Sequence, residues 1–199
     1  MKAVPNFDIE LEINTAFIAG VDEAGRGPLC GPVVAAAVIF KSMTGEMPLI
    51  TDSKQMPHTK RQIAFDWINK NCLVGIGQCS PKEIDELNIL HASMLAMKRA
   101  IAALPQTPNF VLVDGNRLPP DVVGRAVVKG DAKSVSIAAA SIIAKETRDK
   151  IMCDLSIKHP NYCWDKNAGY PTTEHLRAIK EFGINEHYRK SFKPIKDLL

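Results

Sequence analysis

Two continuous apolar runs dominate the hydrophobic pattern of the chain. Phe17–Val21 and Val33–Phe40 have strand length and almost no polar positions, which predicts two buried strands. Leu73–Cys79 alternates and predicts a third strand, and Asn109–Val113 and Arg125–Val128 predict a fourth and a fifth. Elsewhere the spacing is helical. Ile63, Ala64, Trp67 and Ile68 mark a helix over Thr59–Asn71, and Ile84, Leu87, Met94 and Ile101 mark a long one from Ser80 to about Ala103. Ser80-Pro81-Lys82-Glu83 is a helix start, with a Ser cap, Pro in the first turn and Glu three residues on. Ser134–Leu155 is Ala-rich and helical, and Thr172–Phe182 is a helix stopped by Gly183. Residues 1–15 read as a polar lead-in, Met43–Pro57 as a loop, Pro160–Pro171 as an aromatic loop, and Glu186–Leu199 as a basic tail. Three strands at hairpin-like spacing, then strands alternating with helices, predict an α/β fold with one mixed sheet covered by helices.

The polar positions that interrupt this pattern carry the candidate chemistry. The first strand runs into Asp22 and Glu23, followed by Gly25-Arg26-Gly27-Pro28. Carboxylates that continue an apolar strand need a partner, because burying them alone is costly. Arg26 is one candidate and a divalent cation another. The fourth strand leads into Asp114-Gly115, and the fifth into Lys129-Gly130-Asp131. Ligand sites of open α/β sheets lie beyond strand ends, at a switch in strand order. Four acids converging there repel one another, and hard cations remove that repulsion; an all-oxygen set suits Mg²⁺ or Mn²⁺. Two such ions about 3.5–4 Å apart hold the attacking and leaving oxygens of a phosphoryl transfer.

Length and composition narrow the alternatives. A chain of 199 residues suits one compact domain with room for a small appendage, and a 46% hydrophobic content supplies its core. The net charge is only +3, yet residues 125–199 hold 14 Lys and Arg against 9 Asp and Glu, so the basic surplus is C-terminal and favours a polyanionic partner. Five cysteines with no C-x-x-C pair argue against a zinc site or a disulfide framework, and for buried free thiols in a reducing compartment. No signal-peptide pattern and no apolar run of about 18 residues is found, so a cytoplasmic protein without a membrane span is expected.

Several common motifs are missing. Gly25-Arg26-Gly27 fails the dinucleotide pattern at Cys30, and Gly75 and Gly77 fail it at Ser80. There is no phosphate-binding G-x-x-x-x-G-K-[ST], no H-x-x-x-H pair and no G-x-S-x-G elbow. Tyr162, Trp164 and Tyr170, interleaved with Lys158 and Lys166, either stack on sugars and bases or cover the core. Asp52-Ser53-Lys54 and Arg189-Lys190-Ser191 are either phosphate contacts or solvated charge.

Taken in order, D-E-A-G-R-G-P, D-S-K, E-L-N-I-L-H-A, V-D-G-N, V-K-G-D, A-A-S-I-I-A-K-x-T-R-D, G-Y-P-T and R-x-S-F-x-P closely resemble the bacterial ribonuclease HII family, from Asp22 to Pro194. The resemblance implies a ribonuclease H-like mixed five-stranded sheet with a helical C-terminal part. It divides the chain into a catalytic domain, 1–155, and a substrate-binding extension, 156–199, packed on it. It implies cleavage of RNA in RNA–DNA hybrids, incision 5′ of single ribonucleotides in duplex DNA, 3′-hydroxyl and 5′-phosphate ends, and roles in ribonucleotide excision and primer removal. By position, Asp22, Glu23, Asp114 and Asp131 match the catalytic, metal-binding acids, with Mg²⁺ or Mn²⁺ as the ions. Gly25, Arg26 and Gly27 match the element that reads the 2′-hydroxyl, and Tyr170 the aromatic that stacks on the next sugar. Ser53, Lys54, Asn88 and Ser191 resemble backbone contacts. A monomer is expected, and the segment after Pro194 lacks the Gln-led, aromatic-ended clamp motif of some relatives, which speaks against clamp binding.

Two other classes compete. A Mg²⁺-dependent phosphatase would use the same acids without the tyrosine or the basic C-terminal surface. A non-catalytic duplex-binding module would keep the basic surface and have no reason for four converging acids.

Overall fold

The computed structural model describes residues 4–13 and 15–199. Five strands form one sheet: β1 Ile18–Ala24, β2 Val33–Phe40, β3 Cys72–Cys79, β4 Phe110–Asp114 and β5 Gly124–Val127, in the order β3-β2-β1-β4-β5. β1, β2 and β3 are antiparallel neighbours, whereas β4 pairs parallel to β1 and β5 parallel to β4. β1 is thus the strand at which the chain changes both direction and side, and it carries Asp22 and Glu23.

Among the described residues six helices accompany the sheet: α1 Asp8–Leu11, α2 His58–Asn71, α3 Pro81–Ala102, α4 Val135–Lys158, α5 Trp164–Asn167 and α6 Thr173–Phe182. Alternation along β2 splits the core into two layers. Val33, Ala35, Ala37 and Ile39 face α3 through Ile84, Ala92, Ala96 and Ala100. Ala36, Val38 and Phe40 face α2 and α4 through Ile68, Ala139 and Ile143. Small side chains let α4 lie almost on the sheet: a Cβ built on Gly20 would sit 2.1 Å from the carbonyl carbon of Ser136. A third cluster joins Leu29, Cys30 and Met152 to Tyr162, Trp164, Ile179, Tyr188 and Ile195.

Beyond shifts of one to three residues at other strand and helix ends, four features differ from the sequence reading. The lead-in contains α1, whose Glu10 is buried; its Oε1 accepts from Ser136 N (3.0 Å) and Ser136 Oγ (2.6 Å) at the start of α4. α3 is not continuous. Asn88 has φ 65°, and its Oδ1 accepts from Leu90 N (3.0 Å) and His91 N (3.3 Å), restarting the helix as an internal cap. α4 runs past Leu155 to Lys158 and ends where Pro160 restricts the residue before it. The aromatic loop holds a 3₁₀ turn, Pro160–Tyr162, and α5.

The cysteines are all free, but only Cys30, Cys72 and Cys79 are buried; Cys153 is exposed and Cys163 half-buried, which corrects the expectation of uniformly buried thiols. Among the described residues no helix is long and apolar enough to cross a membrane.

Candidate active site

β1 ends in the site. Asp22 is buried, with 7% of its surface exposed, and its Oδ1 accepts from Glu23 N at 2.7 Å. The Glu23 carboxylate pairs with Arg26 at 3.1 Å. Of the two partners raised for these acids, Arg26 engages Glu23; among the described residues Asp22 has no cationic side chain paired with it. Asp114 closes β4, one strand over, and its Oδ1 accepts from Gly130 N at 2.7 Å. Asp131 does not end a strand. β5 stops at Val127, the chain turns through Lys129 at φ 56°, and Asp131 sits in a 3₁₀ turn, Gly130–Ala132, at the mouth of α4.

Burial, with the charges of neighbouring acids, pushes Asp22, Glu23 and Asp131 toward protonation. Burial raises the carboxyl of Asp22 well above the usual range, and the charges of Glu23, Asp114 and Asp131 add to the rise. Burial also raises Glu23, partly offset by Arg26. Asp131 is raised by burial and by Asp114 and Asp52, with Lys54 opposing. A like-charged, all-oxygen group with too little positive charge of its own has the donor chemistry for hard divalent cations. Among the described residues, the group of three metal-ligating side chains whose donor atoms come within 4.8 Å of one another is His159, Glu186 and His187, away from these acids. Glu23 and Asp114 are instead held by Arg26 and by the Gly130 amide.

A cleft of roughly 380 Å³ opens beside Asp22 and Glu23. Gly25, Arg26, Gly27, Ser53, Lys54 and Tyr170 line it as well. Asp114 borders a smaller neighbouring recess that shares Glu23 and Arg26. Gly25 has φ +92°, and a Cβ there would lie 2.0 Å from Arg148 Nε. Gly27 faces the Tyr170 ring, 3.4 Å from where its Cβ would be. Tyr162 and Trp164 instead stack in the C-terminal core, with ring centroids 5.0 Å apart, so of the three aromatics only Tyr170 lines the cleft.

Other sequence candidates meet different partners. Ser53 is buried, and its Oγ takes a 2.7 Å hydrogen bond from Ser141 Oγ. Ser191 is exposed and donates to Asp85 at 2.6 Å, while Asn88 is occupied as a cap; neither lines the cleft. Arg189 is neither solvated charge nor a phosphate contact, because it is fully buried and all of its hydrogen bonds go to backbone carbonyls.

Sequence reading missed four polar cleft residues: Arg61, Ser141, Lys145 and Arg148. Ser141, Lys145 and Arg148 fall at i, i+4 and i+7 of α4, a polar stripe on an apolar helix that the pattern could have revealed. Arg61, paired with the Glu146 carboxylate, donates to the carbonyls of Ser53 and Met56 (both 3.2 Å) and shapes the Asp52-Ser53-Lys54 turn. Lys145 Nζ reaches Asp149 at 2.6 Å.

Comparison with known proteins agrees over nearly the whole chain. The family model described as Ribonuclease HII matches residues 19–195. Ribonuclease HII of Magnetococcus marinus is 54% identical, over 100% of this chain and 98% of its own length. The crystal structure of ribonuclease H2 from Pyrococcus horikoshii superposes with a TM-score of 0.76 at 26% identity, covering 92% of this chain and 97% of that one. Ribonuclease HII of Archaeoglobus fulgidus, solved in complex with PCNA, superposes with a TM-score of 0.68 at 25% identity, over 89% of this chain and 96% of that one. With a matching sheet, matching helices and a family match that spans the site, the chain belongs to the ribonuclease HII family, endonucleases that hydrolyse RNA paired with DNA.

Proposed function

We propose that this enzyme is a divalent-metal-dependent endoribonuclease that cuts the RNA strand of hybrids and also incises 5′ of a single ribonucleotide in duplex DNA. The products are 3′-hydroxyl and 5′-phosphate ends. The observation that carries this reading is one cleft shared by Asp22 and Glu23, the Gly25-Arg26-Gly27 turn and Tyr170.

Asp22, Glu23, Asp114 and Asp131 would hold Mg²⁺ or Mn²⁺, whose charge offsets the burial and the mutual repulsion that raise the carboxyls of Asp22, Glu23 and Asp131. A bound pair of ions supplies activation of a water and stabilisation of the leaving 3′-oxygen. The rest falls to the chain. The amides of Arg26 and Gly27 have no acceptor among the described residues, so they can meet a ribose hydroxyl, which both donates and accepts. Tyr170, 43% exposed, offers its ring to the next sugar. Lys54 and Lys145 line the same cleft and can take phosphates, while Ser53 acts through its backbone and the turn it shapes. Residues 156–199 form the substrate-binding extension because they carry Tyr170 and pack on Leu29 and Cys30. A phosphatase of small substrates would gain nothing from such a turn or an exposed tyrosine.

Duplexes with one ribonucleotide, none, or a run of four test the reading, with and without Mg²⁺ and with end-labelled products. Cutting 5′ of the single ribonucleotide is expected, only with metal, and none in all-DNA duplex. Cutting of the run of four alone would mean that extended RNA is required. Affinity should also fall with salt, with a log–log slope of about 0.9 for each phosphate contact, because Arg26, Lys54 and Lys145 displace counterions. A flat salt series would argue against this basic lining as the duplex contact.

A further inference from the structure

Arg189 lies far from the acids in sequence, and its surroundings are unusual for a buried cation. The side chain is fully enclosed, and among the described residues no carboxylate pairs with it. All five guanidinium donors are used, and every acceptor is a carbonyl of one turn. Nη2 donates to Gly25 (2.6 Å) and Gly31 (2.9 Å), Nη1 to Arg26 (3.0 Å) and Pro28 (2.8 Å), and Nε to Gly31 (3.0 Å). Its own amide donates to Leu29 O at 2.9 Å. Beside the turn, and lining the cleft, stands a second buried guanidinium, Arg148, which donates to the carbonyls of Cys30 (3.1 Å) and Pro32 (3.0 Å).

Burying an arginine without a counter-ion costs folding free energy, and an apolar side chain of similar size would commonly give a more stable core. Burial and the Arg148 charge pull the pKa of Arg189 down to about 9, which leaves it charged at neutral pH. What the arrangement provides is orientation. A peptide plane whose carbonyl points into the protein points its neighbouring amide the other way. With the carbonyls of Gly25 and Arg26 drawn inward to Arg189, the amides of Arg26 and Gly27 are left on the cleft side, without acceptors among the described residues.

The geometry points to Arg189 as a positioning residue for ribose recognition: by gathering the carbonyls of the 25–31 turn it holds the Arg26 and Gly27 amides at the spacing a 2′-hydroxyl requires. The inference rests on the proposed reading of this turn. It assigns Arg189 no contact with substrate.

The test is binding with turnover silenced by Asp22→Asn, comparing a duplex that carries one ribonucleotide with the identical all-DNA duplex. Adding Arg189→Lys keeps the charge and removes the five-donor fork. The preference for the ribonucleotide duplex should fall about tenfold or more, with all-DNA affinity unchanged. Equal weakening on both duplexes, or an unaltered preference, would overturn the proposal. A background protein with Arg189 that shows no ribonucleotide preference would instead overturn the functional reading beneath it. Near-UV circular dichroism checks the fold of the variant. Should Arg189→Lys fail to fold, amide NMR on the Asp22→Asn protein with Arg189 in place decides: the Arg26 and Gly27 amides should shift with the ribonucleotide duplex and stay near their free positions with all-DNA. Amides that ignore the ribonucleotide would overturn the proposal as well.

Discussion

Asp22→Asn is expected to abolish hydrolysis while raising the melting temperature of the metal-free protein. Several kcal/mol of charge stabilisation are at stake at a catalytic metal ligand, and each 1.4 kcal/mol is about tenfold in rate, so a loss of about 10³-fold or more is expected. The fold should not suffer. An Asn oxygen can still accept from Glu23 N, and the substitution removes a buried charge that Glu23, Asp114 and Asp131 all oppose. The pH dependence gives the effect its signature. The Asp22 carboxyl is raised in the folded state, so the folded protein favours its protonated form. That contribution is fully present below the unfolded value of about 4 and is lost as pH climbs through the raised folded value, at about 1.4 kcal/mol for each pH unit between the two. The melting-temperature gap between Asp22→Asn and wild type, measured in EDTA, should therefore be near zero at the acid end and widen toward neutral pH. Glu23 and Asp131 are raised in the same direction, so some pH dependence should persist in the variant. An unfolded variant, a gap that ignores pH, or near-wild-type cleavage would each contradict this role. Asp114→Asn should lose activity in the same way.

The second large effect concerns the ribose hydroxyl. A site built to hydrogen-bond one hydroxyl rejects the analogue lacking it by about 10⁴-fold, because its polar groups stay unpaired. Gly25→Ala should erode that discrimination and slow ribonucleotide cleavage by about 10²-fold, the scale of an ångström-sized misplacement. Two causes add. The backbone at Gly25 sits at φ +92°, where a Cβ is strained, and the new methyl would collide with Arg148, which is tethered to the carbonyls of Cys30 and Pro32. Tyr170→Ala should slow cleavage at single ribonucleotides while leaving cleavage of a long hybrid less affected, since in the proposed reading its ring serves only the junction with the next deoxyribose. The measurement is kcat/KM on the two substrates for each variant. A Gly25→Ala enzyme with wild-type discrimination would remove the turn from ribose reading.

The sequence by itself determined much of this protein. Runs such as Val33–Phe40 have no stable place but a buried strand, and Ser80 to Glu83 form their capping box from local bonds alone. The acids were legible because Asp22, Glu23 and Asp114 interrupt or close apolar strands, where a carboxylate has no ordinary reason to be. The ordered motifs, spread from Asp22 to Pro194, point to the ribonuclease HII family without any knowledge of the fold. Tertiary structure decided what depends on partners distant in sequence. Nothing local in Arg189-Lys190-Ser191 says that the arginine is buried against carbonyls near Gly25, more than 150 residues away, while Ser191 bonds Asp85. The kink of α3 at Asn88 is the exception, a local cap on Leu90 and His91 that the helical spacing around it hides. Tyr162, Trp164 and Tyr170 are alike in sequence, and only packing against α6 and Tyr188 separates the two core rings from the exposed one. Asp131 comes within electrostatic reach of Asp22 and Asp114 through a turn at the mouth of α4, whose first residues are braced by Glu10. Burial is a property of the assembled layers, so a charged residue shows whether it faces solvent, a neighbouring acid or a backbone carbonyl only once those layers have closed around it.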